Sequence, residues 1–343
     1  MAKRFCTLLV IVGVELAFLG GLTLAFAQEP FFKGKTVRIV VAFSAGGGFD
    51  AYSRMIARHM GKYIPGNPNI IVENMPGAGG LIAGKHLYNL AKADGLTIGN
   101  IHGNLVMGQI LGREEIDLDT RKFEWIGVPV KDTGICTFTK ASGITSMEQW
   151  MTSRTPVKLG GTAPGDATRD IPKILKVALN LPIQLIEGYK GGAEIRLAAE
   201  AGEAGGFCWA WDAAKALWSN ALESGDATVV LQIVLKPHPD LPRVPLAIDY
   251  ARTDEARELI DAGIHKMQVI LRSYVLPPGA PKDRVQVLRR AFRETMKDQE
   301  FIADANKSKL GVDPVTGEEV EEIVRVLFKL RPDTVARLKE VLK

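Results

Sequence analysis

Three consecutive glycines, Gly46, Gly47 and Gly48, follow a β-branched apolar run and precede a helix-like pattern. Lacking Cβ atoms, such a turn lets backbone N–H groups approach a ligand closely. The helix start behind it adds unpaired donors and the positive end of a dipole. That is the chemistry of an anion cradle; a plain tight turn is the other reading. Asp50 reads as a cap, its carboxylate accepting a backbone N–H. A second glycine loop, Gly77 to Gly80, matches a dinucleotide fingerprint only in part, because Ile82 stands where the third glycine belongs. Ser44 follows a strand, but Ala42 occupies the glycine position of a nucleophile elbow. The five histidines (59, 86, 102, 238 and 265) form no i, i+4 pair and sit near no cysteine. No metal and no cofactor is therefore expected, and only His102 is placed near a binding cleft.

The elements that carry these loops alternate. Thr36 to Phe43 reads as a buried strand and Asn69 to Glu73 and Leu96 to Asn100 as two further strands, and each is followed by a loop of glycine and polar residues. Helical spacing from Tyr52 to Tyr63 and a helix-compatible run from Leu81 to Leu90 separate them. The pattern restarts with strands at 157–160, 182–186, 206–211 and 228–235. Helices at 172–179 and 193–201 lie between them. Strands alternating with helices indicate α/β layers with parallel sheets, whose loops gather at the carboxyl edge where ligands bind. The Pro-rich stretch Lys236 to Pro245 reads as a return crossing. The last 65 residues read as mainly helical, with a capping box at Thr316 and Glu319, and are expected to brace the first domain. Trp209, Trp211 and Trp218 cluster with Tyr189, either as core or as an aromatic wall of a ligand pocket.

The 343 residues suggest about two domains. With 46% hydrophobic and 24% charged residues the chain is not disordered. A net charge of +4 without a basic run gives no argument for nucleic acid. At the N-terminus, Lys3 and Arg4 precede an apolar stretch from Leu8 to Phe26 and the small-x-small motif Ala25-Phe26-Ala27. This reads as a secretory leader cleaved after Ala27; the alternative is an uncleaved anchor, which Glu15 in mid-run disfavours. Of the remaining cysteines, Cys136 and Cys208, an oxidising compartment favours a disulfide, and two buried thiols are the other reading.

Five stretches carry a resemblance: Val37 to Asp50, Val72 to Gly80, Gly188 to Gly192, His238 to Pro245 and Leu276 to Pro281. In this order and spacing the chain resembles the Bug family, the extracytoplasmic solute receptors of tripartite tricarboxylate transporters, from about Lys33 to Val320. The resemblance implies a type II periplasmic binding protein fold, with two α/β domains around a central cleft. Residues 28–128 and 238–343 would form one domain and 129–237 the other. It implies ligand contacts at Ser44, Gly47, Gly48, Phe49, Asp50, Ala78, Gly79, His102 and Asn104. In the second domain it implies Thr162, Gly165, Asp166, Thr168 and Tyr189, with Trp211 added as an aromatic contact.

Two departures stand out. Phe49 replaces a hydroxyl residue of the family pattern, and Asp166 stands in a loop that is usually Ser- and Gly-rich. Both argue against a simple short dicarboxylate and towards an aromatic or longer acid. The expected function is a periplasmic, monomeric, non-enzymatic receptor that closes by hinge motion on a small organic acid and presents it to membrane permease subunits. A sensor partner of a membrane kinase and a periplasmic hydrolase are the alternatives.

Overall fold

The computed structural model describes residues 29–343, so the expected leader lies outside the described residues. Two mixed sheets organise the chain. The first is built from β1 (Thr36–Val41), β2 (Asn69–Asn74), β3 (Thr97–His102), β4 (Glu124–Val128), β10 (Arg272–Leu276) and β11 (Val315–Thr316), in the order β11-β4-β10-β3-β1-β2. The second holds β5 (Gly134–Thr139), β6 (Val157–Gly160), β7 (Ile183–Ile186), β8 (Gly206–Ala210) and β9 (Ala227–Ile233), in the order β7-β6-β8-β5-β9.

The parallel expectation holds where helices cross over. β1 pairs β2 and β3 in parallel, and β6 pairs β7 and β8 in parallel. It fails at β10, which runs antiparallel between β3 and β4, and at β5, antiparallel to β8 and β9. Both strands follow a change of sheet: residues 129–133 carry the chain out to β5, and residues 270–271 carry it back into β10. A strand entering a sheet this way comes without a βαβ crossover and has no need to run parallel.

The helices of the N-terminal half are α1 (Gly48–Met60), α2 (Leu81–Asn89) and α3 (Asn104–Ile110), followed by α4 (Met147–Met151), α5 (Ala167–Ala178), α6 (Gly192–Glu200) and α7 (Trp211–Ser224). Each carboxyl edge of a parallel strand hands directly to a helix or glycine turn, as the alternation predicted. Two boundaries move. β3 continues to His102, so that residue ends a strand rather than lying in a loop. Trp211 opens α7 instead of closing β8.

The C-terminal half carries α8 (Asp254–Ile260), α9 (Lys266–Val269), α10 (Lys282–Lys297), α11 (Gln299–Lys307), α12 (Gly317–Leu327) and α13 (Pro332–Val341). The expected bracing of the first sheet is performed by α10, α11 and α12, which rest on β4 and α1. α8 and α13 instead pack against α5 of the second sheet. There Arg169 donates to the carbonyls of Leu342 (3.2 Å) and Lys343 (2.5 Å), and Lys173 donates to Lys343 at 2.6 Å. The capping box at Thr316 forms as read: Glu319 N–H donates to Thr316 Oγ1 at 3.2 Å, and Glu319 accepts from Thr316 N–H at 2.8 Å.

Cys136 and Cys208 stand directly opposite each other on β5 and β8 and are joined as a disulfide. Both are fully buried, so the bridge lies inside the second sheet's core.

Candidate functional site

In the first sheet, the chain leaving β1 turns through Ser44 to Gly47 and enters α1. Gly46 takes φ +87°, a conformation that favours glycine. Asp50, expected as a cap, sits one turn inside α1 and ties this loop down. Its Oδ2 accepts from Gly46 N–H and from Arg54 Nε, both at 2.9 Å, and its Oδ1 accepts from Asn74 Nδ2 at 3.0 Å. The Arg54 guanidinium holds the Asp50 carboxyl down at about 2, against the opposing effect of burial. Asn74 Nδ2 also donates to the Phe43 carbonyl at 2.9 Å. The loop is thus held by its own carboxylate.

Behind it lies an aromatic stack. The Phe49 ring lies parallel to His102 at 5.7 Å between centroids and against Phe43 at 4.4 Å. The Arg272 guanidinium also lies near the Phe49 ring, 5.4 Å from its centroid. Asn104 N–H donates to His102 Nδ1 at 3.1 Å, which leaves Nε2 to carry the ring proton. Burial pushes the imidazole down to about 4, so it is neutral at pH 7. In the second glycine loop, Ala78 is held at φ +46°, a strained value for a residue with a side chain.

In the second sheet, the loop after β6 is also self-satisfied. Asp166 caps α5, accepting from Thr168 N–H at 2.9 Å and from its hydroxyl at 2.6 Å. Asp170 accepts from Gly165 N–H at 3.0 Å. Burial raises the Asp170 carboxyl to about 6, against that hydrogen bond and the neighbouring Arg169. Lys190 N–H donates to Glu194 at 2.6 Å at the start of α6.

Between the sheets runs a cleft of about 990 Å³. Phe43, Ala78, Gly79, Leu81, His102, Asn104 and Arg113 face it from the first half, and Thr162, Gly165, Asp166, Thr168, Tyr189 and Lys190 from the second. A smaller inner cavity of about 60 Å³ continues from Asn104, Arg113, Gly165 and Asp166 towards Trp209, Asp132 and Gln268.

Nine of the expected contacts therefore share one cleft: Ala78, Gly79, His102, Asn104, Thr162, Gly165, Asp166, Thr168 and Tyr189. The others do not line it. Ser44, Gly47 and Gly48 are exposed at the rim, Phe49 stands behind His102 and Phe43, and Asp50 is buried as the loop's tie. Trp211 is turned into an aromatic core, where its Nε1 donates to Asp240 at 2.9 Å.

Three functional candidates carried no sequence signal. Arg113 follows a short helix with no motif around it. Asp132 lies in the segment that leads out to β5 and Arg272 opens β10 where the chain returns; the two form a largely buried ion pair. Burial pushes the Asp132 carboxyl up, and the pull of Arg272 opposes that. Among the described residues no helix is long and apolar enough to cross a membrane.

No protein-family model matches this chain. A UPF0065 protein encoded in the gbd 5′ region of Cupriavidus necator is 26% identical over 285 residues, covering 79% of this chain and 78% of that protein. Three solved structures share the fold over nearly their whole length. A TctC solute-binding protein from Polaromonas, without ligand, has a TM-score of 0.67 at 17% identity, covering 90% of this chain and 98% of that one. The periplasmic binding protein BugD gives 0.64 at 21% identity with the same coverages. The R. palustris protein Rpa4515, solved with adipate, gives 0.66 at 19%, again covering 90% and 98%. The α/β fold with two sheets is that of periplasmic binding proteins. The chain's relatives are UPF0065, TctC and BugD proteins, and the resemblance to the Bug family read from its sequence is borne out.

Proposed function

We propose that this chain is an exported solute receptor of a tripartite tricarboxylate-type transporter, and that it captures a small organic acid by closing two lobes around it. The observation that carries this reading is the cleft of about 990 Å³, whose walls come from loops at the ends of strands in both sheets. That is where α/β folds hold ligands. The relative solved with adipate supports a carboxylate ligand. The lobes divide as 28–128 with 238–343 against 129–237. The helices α8 and α13, resting on α5, are the part of the C-terminal half that touches the second lobe. Closure is a hinge motion in the segments between the sheets, near Asp132 and Arg272. Ligand drives it by binding the closed form more tightly than the open one.

The chain acts in this reading in the periplasm, after cleavage behind Ala27, as a monomeric binding protein rather than an enzyme. Its macromolecular partner is a membrane permease that recognises the closed form. A thermal-shift screen of the mature chain over mono-, di- and aromatic carboxylates tests this. A ligand at one hundred times its dissociation constant stabilises the fold by about 2.7 kcal/mol. Failure of every acid to move the midpoint contradicts the proposal.

A further inference from the structure

We propose that Arg113 anchors one ligand carboxylate and that the cleft selects a monoanionic acid with a flat apolar body. This rests on the reading of the chain as an organic-acid receptor and narrows it.

The starting point is where an anion cannot bind. Four backbone amides in three loops at the cleft or its rim already donate to carboxylates of the chain itself: Gly46 to Asp50, Gly165 to Asp170, Thr168 to Asp166 and Lys190 to Glu194. These donors are spent. The carboxylates holding them also repel a second negative charge nearby. At these positions a side-chain cation is the better partner for a ligand anion.

Arg113 is placed for this. It is half-buried and faces both the cleft and the inner cavity. Among the described residues its side chain makes no ion pair and no hydrogen bond, whereas the buried Arg169 and Arg289 and the half-buried Arg272 are all paired with acids. Arg113 Nη1 and Asn104 Nδ2 converge on Gly165. They lie 3.4 and 3.5 Å from the point a side chain at that residue would occupy. A planar guanidinium beside an amide donor suits the two oxygens of one carboxylate. Lys190, Lys339 and Lys343, the other cations lining the cleft, are exposed, whereas Arg113 is half-buried.

The rest of the cleft does not favour a second carboxylate. Phe43 and Leu81 form an apolar wall with His102, whose ring is neutral and backed by Phe49. A flat ring can lie against these faces in an offset or edge-on arrangement. Asp166 is exposed and lines the same cleft. A ligand's second carboxylate would meet that charge, while an apolar end would not.

The test is calorimetric titration of the mature chain with benzoate, phenylacetate, adipate and phenylalanine. The expected result is that benzoate or phenylacetate binds at least tenfold more tightly than adipate. Arg113→Gln should weaken that binding at least tenfold, with the midpoint of the unliganded protein unchanged. Asp166→Asn, which keeps a capping side chain, should narrow the gap between adipate and the aromatic acids. Adipate binding more tightly than both aromatic acids overturns the proposal and leaves the receptor reading standing. So does an Arg113→Gln variant that is folded and binds as the wild type does. Tighter binding of phenylalanine than of phenylacetate also overturns it, because Asp166 would then be receiving an ammonium group. Silence of every acid overturns both readings.

Discussion

The carboxylate of Asp50 accepts a hydrogen bond from the backbone N–H of Gly46 at 2.9 Å, closing the glycine turn on itself. One amide of the turn that looks most like an anion cradle in the sequence is therefore already held by an anion from its own helix. Arg54 and Asn74 hold that carboxylate from the other sides.

Removing this tie should loosen the loop and cost stability. Asp50→Ala leaves Gly46, Arg54 and Asn74 without their acceptor. Arg54 is about half exposed and screened by water, so the expected loss is about 1–2 kcal/mol in chemical denaturation. The pH dependence has a definite sign. The folded carboxyl sits at about 2, below its ordinary 3.8. Its stabilisation is present above pH 3.8 and is lost as pH falls through about 2. Asp50→Asn should flatten the acid limb of the stability profile in that window.

Asp170 should show the opposite sign. Burial raises its carboxyl from 3.8 to about 6. Its contribution is favourable below pH 3.8 and declines as pH rises through about 6. Asp170→Asn keeps an acceptor for Gly165 N–H and removes the titration. Stability measured from pH 4 to 7 should then lose this group's decline; an unchanged profile counts against the assignment.

The ion pair of Arg272 and Asp132 joins the start of β10 to the segment that leads out to β5. Both side chains are largely buried, and Asp132 Oδ2 and Arg272 Nε have no other partner. Arg272→Met strands a buried carboxylate and is expected to cost about 3–5 kcal/mol. The double variant Arg272→Met with Asp132→Leu should recover most of that. A double-mutant cycle checks it, and additive losses would contradict a coupled pair.

The disulfide between Cys136 and Cys208 encloses 72 residues of chain. Loop-closure entropy for that length gives about 4 kcal/mol on cross-linking the unfolded state. Unfolding midpoints with and without reductant should differ accordingly. Equal midpoints, with two thiols titrating only in the reduced sample, would show the bridge to be energetically idle.

Much of the fold was legible in the sequence because β1, β2, β3 and β6 each pair a short apolar run with a loop containing glycine, and that pairing is local. β5 and β10 were not. Gly134–Thr139 and Arg272–Leu276 are strands because of neighbours far along the chain, and their sequences show no alternation. The site divides the same way. His102, Asn104 and the loop from Thr162 to Thr168 stand at or after the carboxyl ends of strands, so position alone places them on the cleft wall. The acceptor for Gly46 was not legible, because composition tells how freely a backbone can bend and not which group its N–H already holds. Arg113 was missed because a lone arginine after a short helix has no spacing to read; only the folded chain brings it beside Asn104 and Gly165. Trp211 was misplaced by one residue of boundary, since opening α7 rather than ending β8 turns its ring into the core.

Closure of the two lobes on an acid is tested most directly by small-angle X-ray scattering of the mature chain, with and without a saturating concentration of the acid giving the largest thermal shift. The account predicts a smaller radius of gyration in the liganded sample, reversed when the acid is dialysed away. Superimposable curves at demonstrated saturation would contradict it.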